Sequence, residues 1–337
     1  MRRGSIVQLV LLGAFFGAGA TLVALLIPWL PPVASKERHR IDIVFWFTTA
    51  ICIGIFTLVA SLIVYSLLKF RAPEGDDTDG PPIHGHTGLE IVWTAIPALL
   101  VTAISIVSGV VLVQNGHAGS NHLNVDVLGR QFAWSFKYPD ANDLVSANLV
   151  LPRGRSTRLT LTSNDVIHSF WVPQFGQKQD AVPGRTTTLV ITPTKVGTYP
   201  VICTELCGLG HPLMRTRAIV MEPADFAKWL KSQGKAVSGG NAGAAVFRNN
   251  GCSGCHTLAA AGANGTVGPD LDKLPEEAQR AHQQLEGFTH ESIVDPDKYV
   301  EPGYPKGVMP PTFGSLPKDQ LDALVQYLVE SSQKGGS

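Results

Sequence analysis

Three uninterrupted apolar runs occupy the first third of the chain: Ile6 to Leu30, Ile41 to Leu68 and Ile91 to Val113. A helix needs about 20 apolar residues to cross a bilayer. The second and third runs reach that length with one acid between them, Asp42, at the start of the second. They read as membrane spans rather than as buried core helices. The first run follows Arg2 and Arg3 and suits either a secretory signal or an extra span, since no clean small-residue cleavage site follows it. Either way the basic start holds the N-terminus inside, and everything after His117 falls outside. The cluster Lys36, Arg38, His39 and Arg40 opposes this orientation, because it too falls outside.

The rest of the composition agrees. Only 16% of the 337 residues are charged, and 27 basic side chains balance 27 acidic ones. Soluble domains run nearer a quarter charged, so the chain is poor in charge. That excludes a disordered chain and a nucleic-acid binder with a basic surface. The balance is uneven. Residues 117–222 carry 10 basic and 7 acidic side chains, and residues 242–337 carry 7 basic and 12 acidic.

From Asn121 to Glu222 the pattern changes to short alternations. Leu149 to Leu151, Arg158 to Thr162, Thr187 to Thr192 and Ala218 to Met221 read as strands, separated by turns such as Pro152-Arg153-Gly154. Several short strands at this spacing predict an all-β sandwich or barrel. Within it lies Cys203-Thr-Glu-Leu-Cys207-Gly-Leu-Gly-His211-Pro-Leu-Met214. Two cysteines outside the cytoplasm first suggest a disulfide. An imidazole and a thioether in the same loop add the soft and borderline donors that suit copper. A second histidine must come from elsewhere, and His168, at a strand end in Asp-Val-Ile-His-Ser-Phe-Trp, is the best candidate.

These motifs, with Asp-Ala-Val-Pro-Gly-Arg185 between them, make the segment from Ile41 to Met221 resemble subunit II of the haem–copper cytochrome c oxidases. The resemblance implies that His168, Cys203, Cys207, His211 and Met214 bind two copper ions as a dinuclear CuA centre. Glu205 would add its backbone carbonyl to that centre, and its carboxylate would reach a magnesium shared with subunit I. Glu90 opens the third run; taken alone it is an interfacial acid favoured by a helix dipole. It matches the family's acid before the second subunit-II span, which implies a proton-uptake role. Gly129 to Tyr138 resembles the family's aromatic stretch near CuA, and by itself reads as a strand whose aromatics pack the sandwich. Phe132 stands where the family usually has an electron-accepting Trp, while Trp134 is retained as a candidate electron path.

Lys231 to Gly243 is small, polar and glycine-rich, and reads as a flexible linker. Beyond it, Cys252-Ser-Gly-Cys255-His256 is the C-x-x-C-H of covalent haem c attachment. No further Cys/His pair at zinc spacing follows. Gly268-Pro269-Asp270-Leu271 resembles the cytochrome c loop that supports the iron-ligating His, and Met309 suits a sixth ligand. Ala244 to Asn249 and the amphipathic Lys318 to Ser332 predict first and last helices that cross at Phe247 and Tyr327.

The sequence therefore predicts a membrane α-helical hairpin, an all-β cupredoxin-like domain and a small all-α cytochrome c domain. Residues 1–35 are a signal peptide or extra transmembrane segment, 36–116 the hairpin, 117–222 the copper domain, 223–242 the linker and 243–337 the haem domain. The implied function is that of an electron-transfer subunit of a respiratory oxidase in the cell membrane, with both cofactor domains on the outer face. Implied partners are membrane lipid, oxidase subunits I and III, and a donor cytochrome or cytochrome bc complex; no nucleic acid is expected. A CuA-containing nitric oxide reductase subunit is the alternative from the same class, and a thioredoxin-like copper chaperone the alternative from a binding class. The opposite net charges of the copper and haem domains favour their docking on each other.

Overall fold

A computed structural model of the chain describes residues 3–72, 74–76, 78–80, 82, 84–237, 242–309 and 311–335. Arg2, Pro310 and the linker residues 238–241 lie outside the described residues. The chain divides into two units, one of membrane-type helices and one of the β and haem domains.

In the first unit the three apolar runs are helices: α1 (Arg3–Leu26), α2 (Lys36–Lys69) and α3 (Thr87–Asn115). All three are long and apolar enough to cross a membrane. Their apolar side chains are mostly exposed in the isolated chain, which suits a lipid environment. Helices in lipid pack through small residues rather than through the hydrophobic effect. Accordingly Gly13 and Gly17 on α1 face Ser61 and Thr57 on α2. The Arg40 guanidinium ties α2 to α3 by donating to Asn115 Oδ1 at 3.1 Å. Cys52 lies on α2 and is exposed in the isolated chain, as are most apolar side chains of that helix.

In the second unit two five-stranded sheets form the sandwich. One has the order β3 (Leu144–Ser146), β2 (Ala133–Tyr138), β1 (Leu123–Arg130), β5 (Thr157–Ser163), β8 (Thr187–Ile191). The other runs β4 (Leu149–Pro152), β10 (Arg215–Met221), β9 (Gly197–Cys203), β6 (His168–Trp171), β7 (Lys178–Ala181). Alternate residues of β1 and β2, from Val125 to Tyr138, are buried, as a sheet with one face on the core requires. The stretch Gly129 to Tyr138 is thus not one strand. It is the end of β1, a turn at Gln131-Phe132, and β2.

Two boundaries differ from those the sequence predicts. Residues 33–38, split there between the first segment and the hairpin, belong with the sandwich. Ala34 N donates to Gln174 O, Thr194 N to Ala34 O, and Lys36 N to Thr192 O. The backbone here thus lengthens a sheet edge, and Ser35 and Glu37 are buried beneath it.

The second difference is the linker. Residues 223–237 form helix α4 (Pro223–Val237), not a flexible tether. Phe226, Trp229 and Leu230, at i, i+3 and i+4, turn one face to the sandwich core. Trp229 meets Tyr138 edge-on with ring centroids 5.4 Å apart. Proline at the first helical position is preorganised for the helix start.

The C-terminal part has its own core, built by α5 (Ala242–Asn249), α6 (Leu274–Arg280), α7 (Leu285–Val294) and α8 (Lys318–Gly335). Phe247 and Tyr327 meet where α5 and α8 cross, with centroids 6.0 Å apart, as the sequence predicts.

Candidate copper centre and haem pocket

His168 opens β6, and Cys203 closes β9. These strands pair with Phe170 opposite Cys203, so the two side chains converge at one end of the sheet. The ligand loop leaves β9 and returns in β10, its ends clamped by Cys203 N donating to Met214 O and Thr204 N to Ser169 O. The loop's two ends are therefore held together at the end of the sheet. It places Cys203 and Cys207 Sγ 3.9 Å apart, far beyond the roughly 2.05 Å of a disulfide. His168 Nδ1 lies 3.9 Å from Cys203 Sγ, and His211 Nδ1 lies 3.5 Å from Cys207 Sγ. Met214 Sδ is 3.8 Å from Cys207 Sγ, and the Glu205 carbonyl is 3.3 Å from Cys203 Sγ. Every donor named from the sequence is thus brought to one place. Two thiols, two imidazoles, a thioether and a carbonyl form a soft set that fits copper.

Burial and close contact shift the protonation of these donor groups in different directions. Burial pushes the Cys203 thiol up, but hydrogen bonds from His168 and from the backbone outweigh it and bring the group down to about 7. Burial and the neighbouring Cys203 charge push Cys207 up to about 12. Two thiolates this close repel, so both ionise only with positive charge between them. Burial also opposes a charged His168. The Asp165 carboxylate, 2.8 Å from Nε2, overrides it and raises the ring to about 9. Asp165 itself accepts from Gln131 N and Val166 N. Those bonds and His168 hold it down at about 2 against the cost of burial.

The haem motif sits at the mouth of an apolar cavity lined by Cys252, Cys255, His256, Met309, Leu324 and Leu328, among others. His256 Nδ1 donates to Pro269 O at 2.9 Å, which fixes the ring and leaves Nε2 free to ligate iron. Gly268 presses on that ring, where a Cβ would come within 2.5 Å of Cε1. Burial lowers the His256 pKa, keeping it in the neutral form a ligand needs. Cys252 and Cys255 are pushed up to about 12 and 11, mainly by burial. An apolar cavity between a fixed imidazole and a thioether, with two thiols at its edge, fits haem c.

The same cavity is walled on another side by the β1–β2 turn, including Arg130, Phe132 and Trp134. Trp134 is 1% exposed and meets His168 edge-on at 5.9 Å between ring centroids. Phe132 is buried against Gly208 and Gly210 of the copper loop. Val308, beside Met309, packs on the sandwich core.

Glu90 lies in the first turn of α3, where its Oε1 accepts from His86 N at 3.1 Å. The carboxylate caps the start of the helix there. The Glu205 side chain is exposed, away from the sulfurs that its carbonyl approaches. Three contributors escaped the sequence reading: Asp165, Gln131 and Arg130. Asp165 is three residues before His168, a spacing that could have flagged it. Gln131 donates to Cys207 O at 2.5 Å, a contact that no linear motif announces.

Comparison with known proteins agrees with this geometry. Residues 23–111 match the family described as cytochrome C oxidase subunit II, transmembrane domain, and 144–223 match its periplasmic domain. Residues 241–332 match cytochrome c. A relative from Synechocystis sp. named cytochrome c oxidase subunit 2 is 34% identical, covering 61% of this chain and 76% of its own. One of the same name from Thermostichus vulcanus is 36% identical over 62% and 79%. A third, from Alkalihalophilus pseudofirmus, is 29% identical over 82% and 83%, so that its match extends over most of this chain. With its membrane helices, its copper-type loop and its C-terminal haem motif each matched in order, this chain belongs to the cytochrome c oxidase subunit II family and carries a fused cytochrome c domain.

Proposed function

We propose that the chain is the electron-relay subunit of a respiratory oxidase, taking electrons at haem c, passing them to a dinuclear CuA centre and delivering them to subunit I. Oxygen would be reduced to water there, with proton pumping. When bound, haem and copper would supply one-electron redox chemistry. Cys252 and Cys255 would hold the haem covalently, with His256 and Met309 as its axial ligands. His168, Cys203, Cys207, His211, Met214 and the Glu205 carbonyl would hold the two coppers.

The observation that carries the reading is the position of Trp134. One indole walls the haem cavity and touches the ring of a copper ligand. A buried aromatic that contacts both proposed cofactor sites supports a short electron path between them. Trp134→Leu in the assembled complex should slow haem-to-copper transfer about tenfold or more and leave both absorption spectra unchanged. An unchanged rate would remove Trp134 from the path.

Further parts of the reading are Glu205 as a magnesium ligand toward subunit I, Glu90 as a proton-uptake group, and subunit III and a cytochrome or bc-type donor as partners. Both cofactor domains would face the outer side of a multi-pass membrane protein, with α1 either cleaved or retained. The packing of Gly13 and Gly17 on α2 supports retention. The chain's relatives are named as oxidase subunits, which favours oxygen over nitric oxide as the final acceptor. Gas consumption by the purified complex tests that choice, since nitric oxide consumption without oxygen consumption would reverse it.

A further inference from the structure

We propose that Arg130 is the positioning residue that seats the haem domain on the copper domain, by gripping two segments of the haem cavity wall at once. Arg130 is the last residue of β1. Its Nη1 donates to Asn250 O at 3.3 Å. Its guanidinium carbon also lies 5.5 Å from the centroid of the Phe313 ring. Asn250 stands two residues before Cys252, on the covalent-attachment side of the crevice. Phe313 stands four residues after Met309, and both it and Asn250 line the haem cavity. One side chain from the copper domain therefore bridges two segments of the haem domain that are far apart in sequence.

The anchor of this grip is fixed relative to the copper ligands. The α-carbon of Gly129, just before Arg130, is pressed against the His168 and Trp134 rings, so closely that a Cβ would come within 2.9 Å of His168. Gln131, just after it, donates its backbone N–H to Asp165 and its side-chain amide to Cys207 O. Arg130 thus projects from a turn whose two neighbours are locked to the copper site. Holding Arg130 to the haem crevice sets the distance between the two cofactors, as well as holding the domains together. Apolar contacts complete the face, with Val308 on the sandwich core and Leu209 beside Gly307.

This grip needs a guanidinium and not merely a positive charge. A guanidinium's wide planar fork can cover an aromatic while aiming an N–H at a carbonyl some distance away, whereas lysine must reach both from a single nitrogen. Docking by net charge, as the opposite balances of the two domains suggest, would instead be satisfied by lysine. Arg130→Lys therefore separates the two.

The inference rests on the proposed binding of haem c and CuA, so the experiment first checks both centres by absorption and electron resonance in the wild-type complex. Loss of either signal there would overturn the functional reading itself. With both present, the haem–CuA distance distribution is measured by relaxation-enhancement pulsed electron resonance in wild type, Arg130→Ala, Arg130→Lys and Phe313→Leu. Wild type should give one narrow distance. All three variants should broaden it, with roughly a tenfold loss in the docked-to-undocked ratio, and keep the CuA spectrum unchanged. Phe313→Leu removes the aromatic from the haem side, so it tests the grip even where an Arg130 variant fails to assemble. A narrow, wild-type distance in Arg130→Ala or Phe313→Leu, or a lysine variant that behaves as wild type, would overturn the proposal. So would a variant whose CuA spectrum changes, since Arg130 would then act on the copper site itself.

Discussion

The carboxylate of Asp165 stands 2.8 Å from Nε2 of His168 and so turns Nδ1 of that ring toward Cys203. Both the tautomer and the ring plane of a proposed copper ligand are therefore set by a residue that touches no sulfur. Outer-shell partners of this kind typically change metal affinity by about 10–100-fold. Asp165→Ala should keep copper in the site, weaken its retention against a chelator within that range, and alter the histidine couplings in the electron resonance spectrum. An unchanged spectrum with unchanged retention would mean that the strand alone orients His168.

A soluble fragment tests the dinuclear reading. The sandwich with α4 included, residues 117–237, should take up two coppers and show a mixed-valence spectrum; a single-copper, four-line spectrum would contradict it. Ending the fragment at Glu222 should destabilise it, because Phe226 and Trp229 leave the core. Trp229→Ala alone should cost about 2 kcal/mol, less than a fully buried aromatic, read as a shift in the denaturant midpoint.

Ligation in the haem domain has a separable signature. Met309→Ala should leave haem covalently attached through Cys252 and Cys255, change the spin state and lower the potential, since a thioether favours reduced iron. An unaltered absorption spectrum would assign the sixth position to another residue.

Glu277 makes the haem domain sensitive to pH. It is buried on α6, and burial first, then the Glu301 charge, raise its carboxyl from the usual 4.5 to about 7. Arg280 and Lys273 oppose that shift, and Asp270 adds to it. A raised folded-state value means that the stabilising contribution is complete below about 4.5 and is lost as pH rises through about 7. Glu277→Gln should therefore melt on the order of a few °C higher than wild type at pH 8 and no higher at pH 4. Equal melting temperatures at both pH values would show that the carboxyl titrates normally.

The candidate metal donors were legible in the sequence because each is a short motif whose residue types carry the chemistry. Cys203 to Met214 and Cys252 to His256 need no tertiary contact to be recognised. The residues that orient those donors were not legible. Gln131 and Arg130 act from a turn with none of the glycine, proline or asparagine that usually marks one, so the stretch reads as a continuous strand. Ala34 to Lys36 join the sandwich through backbone hydrogen bonds, which no side chain advertises. The helical spacing of Phe226, Trp229 and Leu230 was present, but the glycine-rich stretch that follows drew the linker boundary too early.

The central claim is that electrons pass from haem c to CuA within this one chain. Flash reduction of haem c in the purified complex, followed at both cofactor absorptions, tests it most directly. The account predicts haem reoxidation matched by CuA reduction, at a rate independent of protein concentration. Haem that stays reduced, while CuA is reduced only when a soluble donor is added, would contradict it.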